Sequence, residues 1–388
     1  MEIRITTEQD LPEVKELWAY CFENYEPFFS WYFREYYQAG NTLAAFAADR
    51  MLSNLQLIPY EIKLRGQVLP TSYIVGVASF PEARRGGIVG KLLEAALVEM
   101  RLRGQGICLL MPFKAGFYYP YQFEFCYHHY KYNISLDQLG PVSESYGEFV
   151  PVRGLERVAE LAKVYQEFVG DKHGYMVRDS TKWRLMLEEH AGEKGYTYLL
   201  RNRDIPEGYL MYYLKDDKLV VREMAYSNFR AQKSLLQFIY NHRSQAADLE
   251  WHAPIDDAIH FLLPDPKEGI TLYPFLMARI VDVQNILAKI SFPRQVRGEL
   301  VISFQDKLAA WNNQTFSIKI VNGQAEVSPV DGTADISVDI GAFTQVLLGR
   351  LTAREIYKQG RLTAAETKKL DILDEMFPRC LNYINEYY

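Results

Sequence analysis

The chain has 388 residues, of which 48% are hydrophobic and 24% charged, and its formal net charge is −6. This length exceeds a single ordinary core, so two or three domains are expected. Nucleic-acid-binding proteins need a basic face, and the acidic balance therefore argues against a nucleic-acid partner. The same balance suits a cationic small molecule.

Cysteine usage and the N-terminus indicate the compartment. The cysteines form no CxxC pair and lie at Cys21, Cys108, Cys126 and Cys380. This scatter predicts free thiols in a reducing compartment rather than a disulfide framework or a zinc site. The N-terminus, MEIRITTEQDLPEV, is charged from its second residue and lacks the apolar core of a signal peptide. No stretch reaches the roughly 18 apolar residues of a membrane span, so we expect a cytoplasmic protein.

The first part of the chain predicts an α/β crossover. Thr6 or Thr7 caps a helix, and strands follow over 43–49, 51–64 and 73–80. A helix over 87–103 has Ile88, Leu92 and Ala96 on one face, and a strand over 107–111 comes next. The order strand, helix, strand predicts that the two flanking strands are parallel.

The middle part repeats this order in a weaker form. Helices are predicted over 155–169 and 180–191, strands over 197–200, 208–214 and 218–226, and a helix over 231–245. The segment 218–245 thus resembles 73–103 in shape but lacks its glycines, which indicates a degenerate internal repeat. His128 and His129 are adjacent and would point to opposite faces of a strand, so no shared metal is expected. Asp256 and Asp257 are assigned to a solvated loop.

The last part predicts a third, α+β unit. A helix over 282–289 precedes strands over 299–305, 315–322, 324–328 and 336–339, and helices follow over 340–348, 353–359 and 364–377. Asn322-Gly323 is a strong two-residue hairpin signal between the middle strands.

The segment from Ser79 to Gly90 carries the chemistry. A strand ends, a proline turn follows, and Arg84, Arg85, Gly86 and Gly87 precede a helix. The first turn of a helix has unpaired N–H groups and a positive dipole end, and glycines allow a phosphate to approach that backbone closely. The segment is neither a Walker A motif nor GxGxxG. It predicts a cradle for a pyrophosphate.

This loop resembles the R/Q-x-x-G-x-G/A loop of the GNAT superfamily of N-acetyltransferases, which holds the pyrophosphate of CoA. Arg84 takes the first position and Gly87 the glycine position, while Val89 stands where Gly or Ala is usual and Gly90 follows one place late. A second motif, Phe117-Tyr118-Tyr119-Pro120-Tyr121-Gln122-Phe123, resembles the F-Y-x-x-x-G-F signature of the same superfamily, with Gln122 in the glycine position.

Over essentially the whole chain, the plan resembles the Eis (enhanced intracellular survival) family, whose loop also lacks the second usual glycine. The resemblance implies an α/β fold with two tandem GNAT domains of mixed sheet and a C-terminal α+β domain like a sterol carrier protein. The implied boundaries are 1–143 for the acetyltransferase domain, 144–280 for the degenerate one, and 281–388 for the third. It also implies a homo-oligomer, a hexamer by family resemblance.

The resemblance implies an acetyl-CoA-dependent amine N-acetyltransferase that needs no metal. Tyr118 would be the general acid, and the C-terminal carboxylate on Tyr388 the general base. The implied acetyl-CoA contacts are Val77, Ala78, Ser79, Arg84, Arg85, Gly86, Gly87, Ile88, Val89, Gly90, Phe113 and Lys114.

The acceptor is expected to be a small cationic amine, similar to an aminoglycoside or a polyamine. Glu23, Glu26 and Trp31 occupy the area where relatives line their acceptor pocket, but Asn24 stands where an acid is expected. A second hypothesis is a non-catalytic lipid- or acyl-binding protein that uses the third domain, and a third is a structural scaffold. The intact loop and Tyr118 favour the enzyme.

Overall fold

The computed structural model describes residues 1–22 and 24–387, and the chain divides into two compact units that alternate along the sequence. Unit 1 comprises Met1–Tyr127, His173–Val177 and Phe275–Tyr388, and unit 2 comprises His128–Lys172 and Arg178–Pro274. The first and last parts of the chain therefore belong to the same unit.

The N-terminal part of unit 1 is a mixed sheet with helices. Its elements in chain order are β1 Glu2–Ile5, α1 Leu11–Cys21, α2 Phe28–Glu35, β2 Thr42–Ala47, β3 Arg50–Leu64, β4 Gln67–Ser79, α3 Ile88–Leu102, β5 Ile107–Leu110, α4 Ala115–Tyr118 and β6 Glu124–Ser135. Strands β1 to β4 pair as antiparallel neighbours in chain order. Strand β4 pairs with β5 in parallel, which confirms the predicted crossover through α3.

Local chemistry explains how this part begins. Thr7 and Asp10 form a capping box before α1, in which the Asp10 carboxylate accepts a hydrogen bond from the Thr7 amide at 2.7 Å. Arg4 forms an ion pair with Asp10 that lowers the pKa of the carboxyl. The sequence did not predict helix α2, in which aromatic residues prevail and a 3.6-residue apolar period is hard to see.

Unit 2 contains the second crossover. The elements that follow β6 are β7 Glu148–Pro151, α5 Val158–Phe168, β8 Tyr175–Met176, α6 Ser180–Gly192, β9 Tyr196–Asn202, β10 Ile205–Lys215, β11 Lys218–Tyr226, α7 Phe229–Tyr240, β12 Asp248–Pro254 and β13 Ile270–Ile280. Of these, β8 belongs to unit 1, and β13 continues into it. Strands β11 and β12 are parallel and joined through α7, so the strand–helix–strand order is repeated.

The C-terminal part lies in unit 1. Its elements are α8 Val283–Lys289, β14 Gly298–Gln305, β15 Thr315–Val321, β16 Gln324–Pro329, β17 Ile336–Asp339, α9 Ile340–Leu347, α10 Ala353–Lys358, β18 Leu362–Ala364 and α11 Lys368–Met376. Their sheet has the order β16-β15-β14-β17-β18. Asn322 and Gly323 turn between β15 and β16 with positive φ, which confirms the hairpin.

One predicted helix in this part begins in the wrong place. Residues 364–377 are predicted as a single helix, but Leu362–Ala364 is a strand in which Thr363 pairs with Ser337. Helix α11 begins only at Lys368. The edge of the sheet supplies hydrogen bonds that outweigh the helical propensity of the alanines in this segment.

A single apolar cluster in unit 1 joins the N-terminal strands to the C-terminal part. It contains Tyr73 of β4 and Phe275 of β13 together with Phe343 of α9, and every residue of α9 is buried. Arg279 forms an ion pair with Asp306 at 2.5 Å, and both side chains are fully buried. Breaking this buried pair would leave an uncompensated charge. The contact therefore holds the N-terminal and C-terminal parts of unit 1 in one arrangement.

No helix in the part of the chain that the structure describes is long and apolar enough to cross a membrane.

Candidate active site

The candidate site begins where β4 extends beyond the end of its pairing with the parallel strand β5. The pairing of β4 with β5 ends at Ile74 and Leu110, while β4 continues to Ser79. On its other side β4 pairs with β3, and a register shift there sets Gly76 and Val77 as a bulge. Gly76 has a φ of 58°, and both bulge residues are half-buried. The free edge of 75–79 is a place where an extended ligand chain could add hydrogen bonds.

Ser79 is held from both sides at this edge. Its hydroxyl lies 2.7 Å from that of Ser53, and its carbonyl accepts a hydrogen bond from Arg84 Nε at 3.1 Å. The Cys21 thiol also lies 3.6 Å from the Ser79 carbonyl oxygen. The Arg84 guanidinium thus folds back onto the strand end, and both Arg84 and Arg85 are exposed.

The loop enters α3 through glycine. Arg85 and Gly87 both have positive φ, at 64° and 73°. Gly87 is the N-cap of α3, and no side chain caps the helix there. A Cβ on Gly86 or Gly87 would find at most one atom within 4 Å, so the outer surface of this turn is open. The uncapped N–H groups and the positive end of a long helix dipole suit a pyrophosphate.

The two sequence motifs contact each other. A Cβ at Gly90 would lie 3.1 Å from the ring of Tyr121, so a glycine at this position lets α3 approach the turn of the second motif. Ile88 and Tyr118 belong to one apolar cluster that Val77 flanks. The strand end, the helix start and the tyrosine predicted from sequence are therefore assembled together.

Tyr118 is the last residue of α4 and is only 3% exposed. The rings of Phe113, Phe117 and Phe123 surround it at centroid distances of 5.8, 5.1 and 6.1 Å. Burial raises the pKa of Tyr118 to about 12, and Tyr121 adds to the shift. The phenol therefore keeps its proton throughout the physiological range.

Two further predicted residues line the rim. Phe113 is 74% exposed, which is unusual for a phenylalanine, and Lys114 is the exposed N-cap of α4. Both follow the end of β5 at Leu110, opposite the overhanging end of β4. An exposed aromatic ring and a cation at such a rim can contact a nucleotide or its phosphates.

Gln122 shows why a glycine is usual in its motif position. Its φ is 62° and its ψ 31°, in the left-handed region that favours glycine. Its side chain compensates through contacts with the C-terminal part. Nε2 donates to the Gln305 carbonyl at 3.1 Å, and Oε1 accepts from the Lys307 amide at 2.8 Å. The departure from the motif could be read from sequence, but these distant partners could not.

Trp31 and Glu26, both predicted to line the acceptor pocket, lie in different surroundings. Trp31 lies in an aromatic layer from α1 and α2 that packs against Ala78 and Phe80 at the end of β4. Glu26 is exposed, and its carboxylate accepts hydrogen bonds from the amide and hydroxyl of Ser30 at 3.3 and 2.6 Å. Glu23 lies outside the described residues.

The segment before the C-terminus is docked. Asn382 donates from Nδ2 to the carbonyls of Cys126 and Leu348 at 3.2 and 3.0 Å. The hydroxyl of Tyr73 on β4 donates to the carbonyl of Glu386 at 3.4 Å, and Tyr387 packs on Phe275. The segment thus contacts β6, β13 and β4. Tyr388, the predicted general base, lies outside the described residues.

The second crossover, in unit 2, is built differently. Asn228 caps α7, and its side-chain oxygen accepts from the Ala231 amide at 2.9 Å. Close by, the buried Asp257 accepts hydrogen bonds from Gln232 at 2.5 Å and from Tyr226 at 3.3 Å. Tyr132 donates a further bond to it at 2.7 Å.

The assignment of Asp257 to a solvated loop is therefore wrong, since the residue is 4% exposed and burial raises its pKa. Donors from three elements of unit 2, α7, β11 and β6, meet at this carboxylate, and the sequence around Asp257 does not indicate them. Among the described residues, no group of three or more His, Cys, Asp or Glu is placed to hold a metal ion.

Family models match the chain in three consecutive stretches. Residues 2–126 and 174–280 each match a model described as an acetyltransferase (GNAT) domain. Residues 283–385 match a sterol carrier protein domain.

Relatives span nearly the whole chain. A protein of Streptomyces griseus described as an uncharacterized N-acetyltransferase is 23% identical over 370 residues, which are 87% of this chain and 86% of that protein. A probable N-acyltransferase from Enterococcus faecalis superposes with a TM-score of 0.90 at 22% identity, covering 100% of this chain and 99% of the other. Eis1 from Mycobacterium abscessus superposes with a TM-score of 0.80 at 20% identity, covering 100% of both chains.

These matches confirm the predicted fold class and the predicted class of enzyme. GNAT domains generally use acetyl-CoA and act on small-molecule acceptors. With two such domains followed by a sterol carrier protein domain, in the fold that Eis1 also has, this chain belongs to the GNAT N-acetyltransferases.

Proposed function

We propose that unit 1 transfers the acetyl group of acetyl-CoA to the amine of a small acceptor. When bound, acetyl-CoA would supply an activated acetyl thioester. The observation that carries the proposal is the uncapped start of α3 at Gly87, which lies beside the free end of β4 and in the same apolar cluster as Tyr118. The uncapped start of α3 suits a pyrophosphate, and the free end of β4 suits a pantetheine chain. The leaving thiolate needs a proton donor such as Tyr118.

The residues that would hold the cofactor are those of the strand end and the loop. The backbone of Val77, Ala78 and Ser79 would bond the pantetheine along the free edge. Arg85 and the amides at the start of α3 would bind the pyrophosphate, and Arg84 would fix the loop through Ser79. Phe113 and Lys114 would form the rim of this site.

Tyr118 is proposed as the general acid. A raised pKa keeps its hydroxyl protonated, and no described residue hydrogen-bonds that hydroxyl. The proton is therefore available to a sulfur that leaves with developing negative charge. The raised pKa makes Tyr118 a weaker acid than a free phenol, so the transfer depends on the negative charge that develops on the sulfur as the bond breaks.

The C-terminal carboxylate on Tyr388 is proposed as the general base. Support comes from the docked segment before it, in which Asn382 to Glu386 are buried. A carboxylate can accept the ammonium proton, directly or through water. Removing Tyr388 should lower kcat by about 100-fold and leave the Kd of acetyl-CoA unchanged.

The acceptor is proposed to be a small amine, with an aminoglycoside or a polyamine as the model compounds. Glu26 and the aromatic layer around Trp31 support a cationic ligand, since carboxylates and aromatic faces both attract ammonium groups. By family resemblance we also propose a cytoplasmic hexamer, which light scattering of the purified protein would test.

Lipid binding by the C-terminal domain is the less supported hypothesis. All residues of α9 are buried, and its apolar side chains pack in the same cluster as Ile58 and Leu109 from the N-terminal strands. The domain thus uses this apolar surface for internal packing.

The proposed mechanism is tested by a substitution that removes only the hydroxyl of Tyr118, the proposed general acid. In Tyr118→Phe, kcat for amine acetylation should fall at least about 100-fold, because general acid catalysis contributes 10²–10⁴-fold. The Kd for acetyl-CoA should change less than about twofold. Tyr119→Phe is the matched control, since Tyr119 is adjacent and 46% exposed. A Tyr118→Phe enzyme with full kcat would contradict the mechanism.

A further inference from the structure

Gln56 has a buried side-chain amide whose Nε2 finds no acceptor among the described residues. Its side chain is 1% exposed in the middle of β3, and none of the described residues accepts a hydrogen bond from its Nε2. The Tyr32 hydroxyl donates to Oε1 of the same amide at 2.8 Å. That bond fixes the amide plane and leaves both N–H donors of Nε2 pointing away from Tyr32.

These donors face the bulge of β4. A Cβ built on Gly76 would lie 3.4 Å from Gln56 Nε2 and 2.8 Å from the ring of Trp18. Because residue 76 has no side chain, Gln56 Nε2 and the ring of Trp18 both pack close to its Cα, at the half-buried start of the free edge of β4. The bulge, Gly76 and Val77, adjoins Ala78 and Ser79 in the edge proposed to bind the pantetheine of the thioester.

An orphaned amide in this place costs stability. A buried donor without a partner costs about 1–3 kcal/mol. A bound ligand that accepts a hydrogen bond from Nε2 would offset this cost.

The aromatic layer around Gln56 contains further donors. The indole nitrogens of Trp18 and Trp31 are also buried without an acceptor among the described residues. Trp18 stacks on Tyr32 at 4.5 Å, and both tryptophans pack in the layer that covers the end of β4. This layer therefore contains N–H donors, whereas the Glu26 carboxylate lies at the exposed surface.

We propose that Gln56 Nε2 binds an oxygen atom of the acceptor, so that the preferred substrate is an amine with a neighbouring hydroxyl or carbonyl group. The inference rests on the proposed function and narrows its substrate class. An ammonium group has no lone pair to accept from an N–H donor, so charge alone cannot satisfy Gln56. A hydroxyl or carbonyl oxygen two or three bonds from the amine satisfies it while the amine faces the thioester.

The experiment compares amines of equal size with and without the oxygen. Thiol release from acetyl-CoA is followed with ethanolamine and n-propylamine, and with glycinamide and isobutylamine, at equal concentrations of the neutral amine. We expect kcat/KM to be about tenfold higher for the oxygen-bearing member of the preferred pair, the gain from one hydrogen bond to a buried donor. The hydroxyl and carbonyl pairs distinguish the two sources of the oxygen.

Substitutions then locate the effect. Gln56→Glu keeps the acceptor for Tyr32 and removes the donors, so the preference should fall about tenfold. Gln56→Met removes the donors without adding charge and should lower the preference similarly. The matched control is Gln67→Glu, because Gln67 lies at the other end of the β3–β4 hairpin and donates to Ser291 at 2.8 Å. Thermal denaturation verifies that each variant is folded.

The outcomes separate the two proposals. If the wild type acetylates both members of each pair equally, the function stands and the role of Gln56 is wrong. A KM increase for acetyl-CoA in Gln56→Glu with an unchanged preference would also overturn it. If no amine is acetylated, the proposed function fails, and the inference fails with it.

Discussion

The two crossovers of this chain have the same topology and opposite polar chemistry. In each, a strand with a register shift runs into a helix and then into a parallel strand, through β4, α3 and β5 or through β11, α7 and β12. Helix α3 begins at a glycine with no side-chain cap, whereas Asn228 caps α7.

The regions beside the two helices differ in the same sense. At the second crossover, Asp257 accepts hydrogen bonds from Gln232 at the start of α7 and from Tyr226 at the end of β11. In β11 itself, Glu223 forms a buried ion pair with Arg178 at 2.6 Å. At the second crossover both carboxylates are bound by donors of the protein itself, whereas the start of α3 has no side-chain cap.

The largest expected effect, on acetyl-CoA affinity, comes from adding a negative charge at the start of α3 in the first crossover. Gly87→Asp places a carboxylate at the start of α3, where its charge suits the helix dipole and aspartate tolerates the left-handed conformation. The affinity for acetyl-CoA should fall roughly 1,000-fold, because like charges ~4 Å apart cost about 4 kcal/mol near a surface. Gly87→Asn is the control, since it caps the helix without the charge. Equal losses in both variants would show that charge repulsion is not the cause.

A smaller effect, on stability, is expected from removing the Asp257 carboxylate at the second crossover. Asp257→Ala leaves the Tyr132, Tyr226 and Gln232 donors without their acceptor, and should lower the free energy of unfolding by about 3 kcal/mol. Denaturant titration measures the loss, and calorimetry should find the acetyl-CoA affinity unchanged.

Asp256→Ala provides the comparison for this change. Asp256 is the neighbouring carboxylate, partly exposed and paired with Lys172, and its removal should cost less than about 1 kcal/mol. A loss of acetyl-CoA binding in Asp257→Ala alone would mean that the second crossover contributes to the cofactor site.

The cap of α7 should contribute less again. Asn228→Ala removes one bond to the helix start and should destabilise the protein by about 1 kcal/mol. Asn228→Asp keeps a capping oxygen and should be nearly neutral. Thermal denaturation distinguishes them, and the acetyl-CoA Kd should be the same in both. Equal stability of the two variants would show that the cap is not used.

The smallest expected effect concerns pH. Burial raises the pKa of Tyr118 to about 12, so its protonated form persists above the ordinary phenol value of about 10. We therefore expect kcat, at saturating neutral amine, to show no decline between about pH 8 and pH 10. An ordinary phenol would have lost half of its acid form at the upper limit. A decline through this range that is absent from Tyr118→Phe would contradict the raised pKa.

Sequence predicted what short-range patterns determine. The glycines before Ile88 and the apolar face of α3 identified the first crossover, and Asn322-Gly323 identified the hairpin. Such signals depend on residues within one or two turns of each other, where dihedral preferences and periodicity dominate. The same logic placed Tyr118 after the strand that follows the helix.

The sequence did not predict long-range contacts, because its signals come from residues close together along the chain. The burial of Asp257 depends on donors such as Tyr132, and the left-handed Gln122 is supported by Lys307, far along the chain. The chain's return at His173–Val177 to pair with β3 leaves no local pattern either. Contacts of this kind are set by the tertiary fold and override local propensity.

The central claim, that the first crossover binds acetyl-CoA and the second does not, is tested most directly by the stoichiometry of binding. Isothermal titration of the wild-type protein with acetyl-CoA should give one site per chain. Two sites per chain would show that the second crossover is also open, and no binding would show that the uncapped start of α3 is not a cofactor site.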